Sequence, residues 1–482
     1  MKRIFSLLLC LAMLFGLTAC DGGESVKTDG GEVPTLVWYV QGDKQSDLDS
    51  VLAEANKIIE EKIGAKLDLQ FIDEGSFTQK MTMIMASGEV FDLCFTGYVN
   101  GYVNGIQRGG FLELNEYLEK SPAIKASIPD YAWKSTIYNG GIYAVPNMQI
   151  MTTSLSVFTF KELADKYGFN DLEIDHVTDI EPYLAKIKEN EPNYIPYRNN
   201  YGSNSFYDGP REDIVSGNTL VRAYYEEGSD EVRIEPFPYT DTYKNANKTL
   251  RDWFKKGYIR SDIASVGSDT SDYTMGRYAT WVETYKPGLL AEMKIRYGKE
   301  VVQAPIMKPQ VSAGAPSAMT AISKTSKHPE LAFKLLELMN TDKELYNLIC
   351  FGIEGKHYQF NSEDKVEYIE DGGYTPKAAW KFGNQFNAYL IDGQEETVWE
   401  ETIAMNDNAI HSPLLGFKVD TKNIKNEISQ VSSVYKEFSM ANKGIADLEE
   451  FYDNLIAKLK TAGIDKITEE AQRQYDEWKK NN

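Results

Sequence analysis

Hydrophobic and polar positions in the first part of the chain change period repeatedly, which predicts strands alternating with helices. Leu36–Val40 is a short apolar and aromatic run, typical of a strand. Apolar residues from Leu48 to Ile63 then recur at helical spacing, and Gly64 stands where such a helix would end. Residues from Leu67 to Phe71 alternate apolar and polar, which predicts a second strand. The order strand, helix, strand indicates an α/β layer.

The same two periods predict the rest of the chain. Helices are predicted over Phe77–Met85, Leu112–Leu118, Phe160–Tyr167, Asp179–Asn190, Tyr243–Lys256 and Pro329–Met339, strands over Phe91–Phe95, Val301–Ile306 and Met319–Ser323, and a tight turn over Tyr138–Tyr143. The tail shows three successive helical patterns, Ile424–Phe438, Leu448–Leu459 and Glu469–Lys480. Stripes of this kind are expected to pack each helix against a core.

The first twenty residues do not belong to the folded body. Lys2 and Arg3 precede an apolar run from Ile4 to Leu17 that is short for a membrane span, and small residues follow it, as in a cleavable secretory signal. The tetrapeptide ending at Cys20 resembles the bacterial lipobox, in which the cysteine is diacylated and becomes the first mature residue. We therefore expect a signal peptide over residues 1–19 and a lipidated, flexible tether over residues 20–33, which are rich in Gly, Asp and Glu.

Composition excludes several classes of protein. The 482 residues are 42% hydrophobic and 26% charged, values of a folded globular protein. The net charge of −21 becomes −23 when Lys2 and Arg3 leave with the signal peptide, and such a surface repels phosphate backbones, so nucleic acid is not an expected partner. Only Cys94 and Cys350 remain in the body, and Cys94, inside an apolar strand pattern, is interpreted as a buried small hydrophobic residue.

No motif predicts catalysis, a metal site or a cofactor. The four histidines, His176, His328, His357 and His411, lack the spacing of metal ligands. The chain has no phosphate-binding loop, no dinucleotide-binding glycine fingerprint and no Gly-x-Ser-x-Gly nucleophile motif. Paired carboxylates are not informative among 72 acidic residues. We therefore predict a protein that is not an enzyme.

The positive signal is aromatic. The chain has 30 Tyr, 21 Phe and 7 Trp, and rings with an apolar face and a polar edge suit sugars, whose C–H faces are ringed by hydroxyls. Several segments place aromatic residues beside amides or carboxylates near predicted strand ends, where open α/β sheets bind ligands. The candidate ligand-binding residues are Trp38, Gln41, Thr96, Tyr98, Asn100, Asn147, Gln149, Trp281, Glu283, Trp380 and Asn384.

Ordered motifs along the chain resemble one known family, the extracytoplasmic solute-binding lipoproteins of ABC importers, and within it the oligosaccharide-type group. The matching segments are Phe91-Asp92-Leu93, Phe111–Leu118, Tyr138–Pro146, Tyr273–Trp281 and Ala321–Met339. Gly352–Tyr358 and the helical tail Gly416–Trp478 are similar to a subgroup with a distinct C-terminal extension.

The resemblance implies a fold and a domain plan. We expect a periplasmic-binding-protein-like α/β fold of two lobes joined by a hinge of several crossings, with a helical C-terminal extension. Lobe one would comprise residues 34–146 plus 303–345, and lobe two residues 147–302 plus 346–482, of which 416–482 form the helical segment. The chain would cross between lobes near Tyr143–Phe158, near Val302–Ala304 and after Met339.

The resemblance also implies a function. The mature protein would be a monomer anchored through Cys20 to the outer face of the cell membrane, would capture an oligosaccharide by hinge closure, and would deliver it to the transmembrane subunits of an ABC permease. Two alternatives stay open at this stage. The solute could be a peptide, which would require a charged anchor for a chain terminus in the cleft, or the protein could be a surface glycosidase using paired carboxylates.

Overall fold

The structure is a computed structural model that describes residues 32–98, 101–200, 202, 206, 211–214, 220–266, 269–314 and 316–481. The predicted signal peptide, Cys20, most of the predicted tether and the candidate residue Asn100 lie outside the described residues. No helix among the described residues combines the length and the apolar character needed to cross a membrane.

The strands, in chain order, are β1 (Thr35–Gln41), β2 (Lys66–Ile72), β3 (Leu93–Gly97), β4 (Val145–Pro146), β5 (Leu155–Phe160), β6 (Ile195–Arg198), β7 (Arg211–Ile214), β8 (Val221–Tyr225), β9 (Arg233–Pro236), β10 (Tyr278–Thr284), β11 (Val301–Pro305), β12 (Gln310–Val311), β13 (Ala318–Ile322), β14 (Tyr358–Phe360), β15 (Val366–Tyr368) and β16 (Ile410–His411).

The helices are α1 (Leu48–Ile63), α2 (Glu74–Ser87), α3 (Tyr102–Gln107), α4 (Asn115–Lys120), α5 (Pro122–Ser127), α6 (Asp130–Thr136), α7 (Lys161–Tyr167), α8 (Glu181–Asn190), α9 (Asp241–Lys255), α10 (Thr270–Thr274), α11 (Leu289–Tyr297), α12 (Pro329–Thr341), α13 (Lys343–Phe351), α14 (Val398–Asp407), α15 (Lys425–Glu437), α16 (Ser439–Asn442), α17 (Tyr452–Thr461) and α18 (Ile464–Asn481).

Lobe one is built on a sheet with the strand order β2-β1-β3-β13-β4. β1 pairs in parallel with β2 and β3, and β13 is antiparallel to β3 and β4. Leu36, Trp38 and Val40 alternate along β1 and are fully enclosed, because successive strand residues point to opposite faces. α1 packs on β2 and ends at Gly64, which adopts the left-handed conformation (φ 68°) that glycine tolerates best.

Lobe two is built on a sheet with the order β11-β5-β10-β6. β5 is antiparallel to both β10 and β11, while β6 runs parallel to β10. Its core holds Trp281, which stacks on Phe158 with ring centroids 6.1 Å apart, and Trp253 of the amphipathic helix α9. The two sheets therefore have separate hydrophobic cores, as an α/β protein of two lobes requires.

A third core lies in what we call the C-terminal unit, formed by the antiparallel sheet β7-β8-β9 and helices α15 to α18. α18 packs on β8 and β9, and α15 packs on α17 and α18. α9 joins this unit to lobe two, because Tyr243 belongs to the third core while Leu250 of the same helix belongs to the second. The predicted helical extension is thus accompanied by a small sheet that the sequence did not indicate.

The packing corrects the predicted lobe boundaries. Residues 303–345 were expected in lobe one, but β11 pairs with β5 through Pro305, so the chain re-enters lobe one only at β13. Residues 346–415 were expected in lobe two, but α13 packs on α1 and α12, and buried residues as far as Ala388 belong to the core of lobe one. A local apolar pattern predicts that a helix is buried without indicating which sheet it covers, and this accounts for the error.

Within the two lobes the predicted periodic elements form close to their expected bounds. The predicted helix at Tyr243–Lys256 forms as α9, and the helix predicted from Pro329 forms as α12 with the proline in its first turn. Cys94 is buried in β3 as expected, and burial raises the pKa of its thiol. The fold class, two α/β lobes with several crossings and a helical C-terminal part, is confirmed.

Candidate ligand-binding cleft

The ends of the two sheets that adjoin the lobe crossings carry polar and aromatic side chains. The chain leaves lobe one at Pro146, the last residue of β4, which pairs with Met319 of β13. The neighbouring residue Ala318 pairs with Gly97, the last residue of β3. In lobe two the chain enters at Leu155, opposite Thr284 at the end of β10. The carboxyl ends of β3 and β10 therefore both lie beside the crossings, where open α/β sheets bind ligands.

On lobe one this end is formed by Tyr98, Gln41 and Glu74. The Tyr98 side chain is 53% exposed, and its hydroxyl donates to Oε1 of Glu74 (3.0 Å) and accepts from Nε2 of the buried Gln41. Burial of the hydroxyl raises the pKa of Tyr98 to about 12, so the group stays protonated at neutral pH. Oε1 of Gln41 has no hydrogen-bond partner among the described residues.

Trp380 packs beside Tyr98 and is held in place by lobe one. It lies in a single helical turn, Ala379–Lys381, with its ring centroid 5.8 Å from that of Phe95 and 6.2 Å from that of Tyr98. The buried amide of Asn147 donates to the carbonyls of Trp380 (3.3 Å) and Lys381 (2.7 Å). Asn147 thus fixes the backbone that carries the ring.

Lys381 is a buried cation beside Trp380. Its ammonium donates to the Gln41 carbonyl (3.1 Å) and lies 4.9 Å from the centroid of the Trp380 ring. Burial lowers the pKa of Lys381, because removing an ammonium from water disfavours its charged form. Both contacts tie Lys381 to lobe one.

Lobe two contributes a cluster of charged residues around Tyr273. Arg198, at the end of β6, forms two hydrogen bonds with Asp269 (2.7 and 2.8 Å) and lies 3.9 Å from the centroid of the Tyr273 ring. These hydrogen bonds hold the pKa of Asp269 below its usual range. The Tyr273 hydroxyl donates to Glu283 and accepts from Nη1 of Arg296 (3.2 Å). The cluster has a fixed geometry because each polar group in it has a partner.

A cavity of about 460 Å³ lies between the lobes, and we call it the interlobe cavity. α11 of lobe two lines one side of it, and residues of segment 352–397, which connects α13 to α14, line the other. Its rings are Phe351, Tyr368, Trp380, Tyr389 and Trp399, and its polar or charged side chains include Lys286, Glu292, Arg296, Lys377, Gln385 and Gln394. Flat rings beside amides and charges are the surroundings that a saccharide requires.

The first crossing beside this cavity is clamped by Asn406 of α14. The fully enclosed Asn406 side chain accepts from the Met151 amide (2.7 Å) and donates to the Gln149 carbonyl (2.8 Å). Both ends of one amide thus hold the backbone that joins the lobes. Among the described residues there is no group of three His, Cys, Asp or Glu side chains that could hold a metal ion.

Two of the candidate residues are corrected by the structure. Trp38 is fully enclosed in lobe one with its ring edge-on to Phe382 (6.0 Å), and Trp281 is 1% exposed in the core of lobe two. Neither indole can contact a ligand in the cleft. The physical reason is strand alternation, which places Trp38 on the same inward face as Leu36 and Val40.

The other candidates are distributed over the cleft and its supports. Tyr98 and Trp380 lie together, Gln41 contacts Tyr98, and Glu283 contacts Tyr273. Thr96 and Asn147 are buried, while Gln149 and Asn384 are half-buried. Asn384 caps a short turn by accepting from the Phe386 amide (3.1 Å). Direct ligand contact by these residues remains a prediction.

Sequence reasoning missed most residues of the interlobe cavity, and it missed Asn406, which holds the first crossing. Tyr368, Tyr389 and Trp399 lie within about twenty residues of the candidate Trp380, and this density of rings was a usable signal. Arg198, Tyr273 and Arg296 are far apart in the sequence, so only the fold brings them together.

Comparisons with known proteins agree with this architecture. Residues 45–345 match the family described as bacterial extracellular solute-binding protein, and residues 413–480 match a domain of unknown function. The chain is similar, with 32% identity over 498 aligned positions, to a carbohydrate ABC transporter substrate-binding protein of Streptococcus pneumoniae serotype 4, and the alignment covers 100% of this chain and 99% of the relative.

Solved structures of similar sequence share the whole fold. The N-glycan transport solute-binding protein NgtS from Streptococcus pneumoniae has 30% sequence identity and a TM-score of 0.83, covering 93% of this chain and 99% of that chain. The same protein in complex with Man5GlcNAc has 31% identity and a TM-score of 0.75, with the same coverage.

Proposed function

The chain belongs to the bacterial extracellular solute-binding protein family, and from that premise we propose that it captures an oligosaccharide between its lobes for an ABC importer. The observation that carries the proposal is the interlobe cavity, in which aromatic rings on the lobe-one side face charged side chains of lobe two. The named ligand of the similar protein NgtS, Man5GlcNAc, supports a glycan over the peptide that the sequence left open.

The mechanism depends on which lobe carries the residues on each side of the cleft. Tyr98 and Trp380 move with lobe one, whereas α11 and the Tyr273 cluster move with lobe two. A solute in contact with both walls gains interactions only when the lobes approach, so its binding shifts the hinge equilibrium towards closure. Asn406, which holds the first crossing, would set how far that segment can bend.

Calorimetry and tryptophan fluorescence against a glycan panel test the proposal. The panel should include Man5GlcNAc, the ligand named for a similar protein, together with unrelated oligosaccharides and short peptides. Saturable binding of at least one glycan, with a fluorescence change reporting on Trp380 and Trp399, is the expected result. Binding of peptides without any glycan would contradict the choice of solute.

The proposal treats the protein as a binding protein and not as a glycosidase. Prolonged incubation of the purified protein with the same glycans should therefore release no product. Product release that one Asp or Glu substitution abolishes would replace the proposal with the enzyme alternative.

Membership of the family places the protein outside the cytoplasm, and we propose that Cys20 anchors it there through attached lipid. The lipobox-like tetrapeptide ending at Cys20 supports this anchor. The wild-type protein should partition into detergent and carry acyl chains on its first mature residue, and Cys20→Ser should do neither. We further propose that the closed protein docks as a monomer on the transmembrane subunits of its permease.

A further inference from the structure

The charge of the interlobe cavity is opposite to that of the protein. The whole chain carries a net charge of −21, yet the described charged residues that line the cavity are Lys286, Arg296, Lys377 and Glu292, a net +2. Lys286 pairs with Glu292 (2.7 Å). Arg296 and Lys377 are therefore the cations whose charge the described cavity wall does not balance.

Neither of these two cations is engaged by a carboxylate. Nη1 of the exposed Arg296 donates to the Tyr273 hydroxyl, and that hydroxyl in turn donates to Glu283. The guanidinium itself has no carboxylate within 4.0 Å among the described residues. A hydrogen bond to a neutral hydroxyl fixes the position of the guanidinium without an ion pair, and Glu283, which is bonded to the same hydroxyl, acts on it only through space.

Lys377 occupies an unusual backbone position. Its φ of 48° lies in the left-handed region, where a non-glycine residue is strained by about 1–3 kcal/mol. Its ammonium lies 5.5 Å from the centroid of the Tyr368 ring and forms no ion pair with a described residue. Residues strained in this way persist only where the surrounding structure holds them, and ligand sites are among the places where they cluster.

We propose that the solute is an anionic saccharide whose charged group, a carboxylate or a phosphate ester, binds between Arg296 and Lys377. The proposal rests on the proposed function and narrows its solute class. The cavity offers two contributions to one ligand: Trp380, Tyr368 and Tyr389 provide surfaces for sugar rings, and the two cations provide charge-assisted hydrogen bonds. The net negative charge of the rest of the protein would repel an anion from other parts of its surface.

Matched glycan pairs test this inference by calorimetry at low and at moderate salt. One pair is 6′-sialyl-N-acetyllactosamine and its methyl ester, which has the same sugar rings but lacks the carboxylate charge. The other is Man5GlcNAc and the same glycan carrying a 6-phosphate. We expect the charged member of at least one pair to bind ten times more tightly or better, with a difference that shrinks as salt rises. The glycan pair that shows the difference identifies the charged group of the solute as a carboxylate or as a phosphate ester.

Variants locate the effect in the cavity. Arg296→Gln with Lys377→Gln should remove the preference, bringing the affinities of the charged and neutral members to within about twofold of each other. Lys294→Gln is the matched control, because Lys294 lies on the same helix α11 but pairs with Glu300 outside the cavity lining (2.5 Å). It should retain the preference.

The other outcomes separate the two proposals. Equal affinity for charged and neutral members would overturn the anionic solute and leave the oligosaccharide-binding function intact. A preference for the charged member that persists in the double variant, with both members weakened equally, would also overturn it, because the charged group would then be bound by other residues. If no saccharide bound at all, the proposed function itself would fail.

Discussion

The two central sheets and segment 352–397 use the same kinds of residue for different purposes. Trp281 in β10 is 1% exposed and packs against Phe158 and Phe160, whereas Trp380 in segment 352–397 is half-buried and lines the interlobe cavity. The indole nitrogen of Trp281 has no hydrogen-bond partner among the described residues. The Trp281 indole fills space in the core of lobe two, whereas the Trp380 indole presents one of its sides to the interlobe cavity.

The difference extends to the backbone. The sheets are held by continuous ladders of hydrogen bonds, while segment 352–397 consists of the three-residue strands β14 and β15, single turns and loops. Side-chain anchors hold the segment to lobe one instead, among them Asn147 and the buried His357, whose ring is bonded to Asp47 (2.7 Å). We infer that stability resides in the sheets and that recognition resides in the anchored segment.

Truncation in a sheet should have the largest effect of any single change. Trp281→Ala removes a fully enclosed indole and leaves a cavity, which costs about 3–5 kcal/mol of unfolding free energy. Trp281→Phe should cost clearly less, because the ring is retained and the unpartnered indole N–H is removed. Urea denaturation measures both. Equal losses for the two variants would show that Trp281 is not simply filling volume.

Substitution of Asn147, which links lobe one to segment 352–397, should have the second largest effect on stability. Asn147→Ala removes the donor to the Trp380 and Lys381 carbonyls and the acceptor for the Thr320 hydroxyl (3.1 Å). Leaving such groups buried without partners costs about 1–3 kcal/mol. Glycan affinity should fall as well, since the Trp380 backbone loses its support. Asn190→Ala, at an exposed position in α8, is the control and should change neither quantity.

The sequence predicted the sheets well because their signal is local. β1 and α1 show periods of two and 3.6 over at least seven residues, and such patterns identify an element without knowledge of its neighbours. The same alternation could have shown that Trp38 points inward with Leu36 and Val40. The prediction of Trp38 and Trp281 as ligand contacts rests on residue type, whereas the face of the strand decides which side chains reach the cleft.

Segment 352–397 could not be derived in the same way. Its strands have three residues each, too short for a period to emerge, and its assignment to lobe one depends on contacts such as His357 with Asp47, 310 residues apart in sequence. Arg198, Tyr273 and Arg296 likewise meet only in the folded lobe. Residue chemistry pointed to Trp380, but the cavity around it is a property of tertiary structure.

On the recognition side, removing the Trp380 ring should affect binding more than stability. We expect Trp380→Ala to lower glycan affinity about tenfold, equivalent to about 1.4 kcal/mol, because a stacking surface is lost. The unfolding free energy should fall by less than in Trp281→Ala, since the ring is only half-buried. Trp380→Phe should restore most of the affinity. A stability loss as large as that of Trp281→Ala, with affinity unchanged, would reverse the comparison.

The anchor at Asp47 should show itself through pH. Hydrogen bonds from Lys356, Ser50 and His357 hold the pKa of Asp47 well below its usual range. The folded pKa is depressed, so this carboxylate contributes stability above its unfolded pKa of about 4, and the contribution is lost as the pH falls. Melting temperatures from pH 7 to pH 3 should therefore decline less steeply in Asp47→Asn. The exposed carboxylate of Asp49 is the control position, where Asp49→Asn should keep the wild-type slope.

Tyr98 belongs to both regions, and its substitution should have the smallest effect. It follows β3 directly, yet its half-exposed ring packs on Trp380. Tyr98→Phe keeps the ring and removes a hydroxyl that bonds Glu74 and Gln41, so affinity should fall by about 1 kcal/mol, or roughly fivefold. Tyr98→Leu should fall further, because a flat surface is lost as well. If titrations with the bound glycan gave the same affinity for wild type, Tyr98→Phe and Tyr98→Leu, the end of β3 would be scaffold alone, and recognition would lie wholly in segment 352–397 and lobe two.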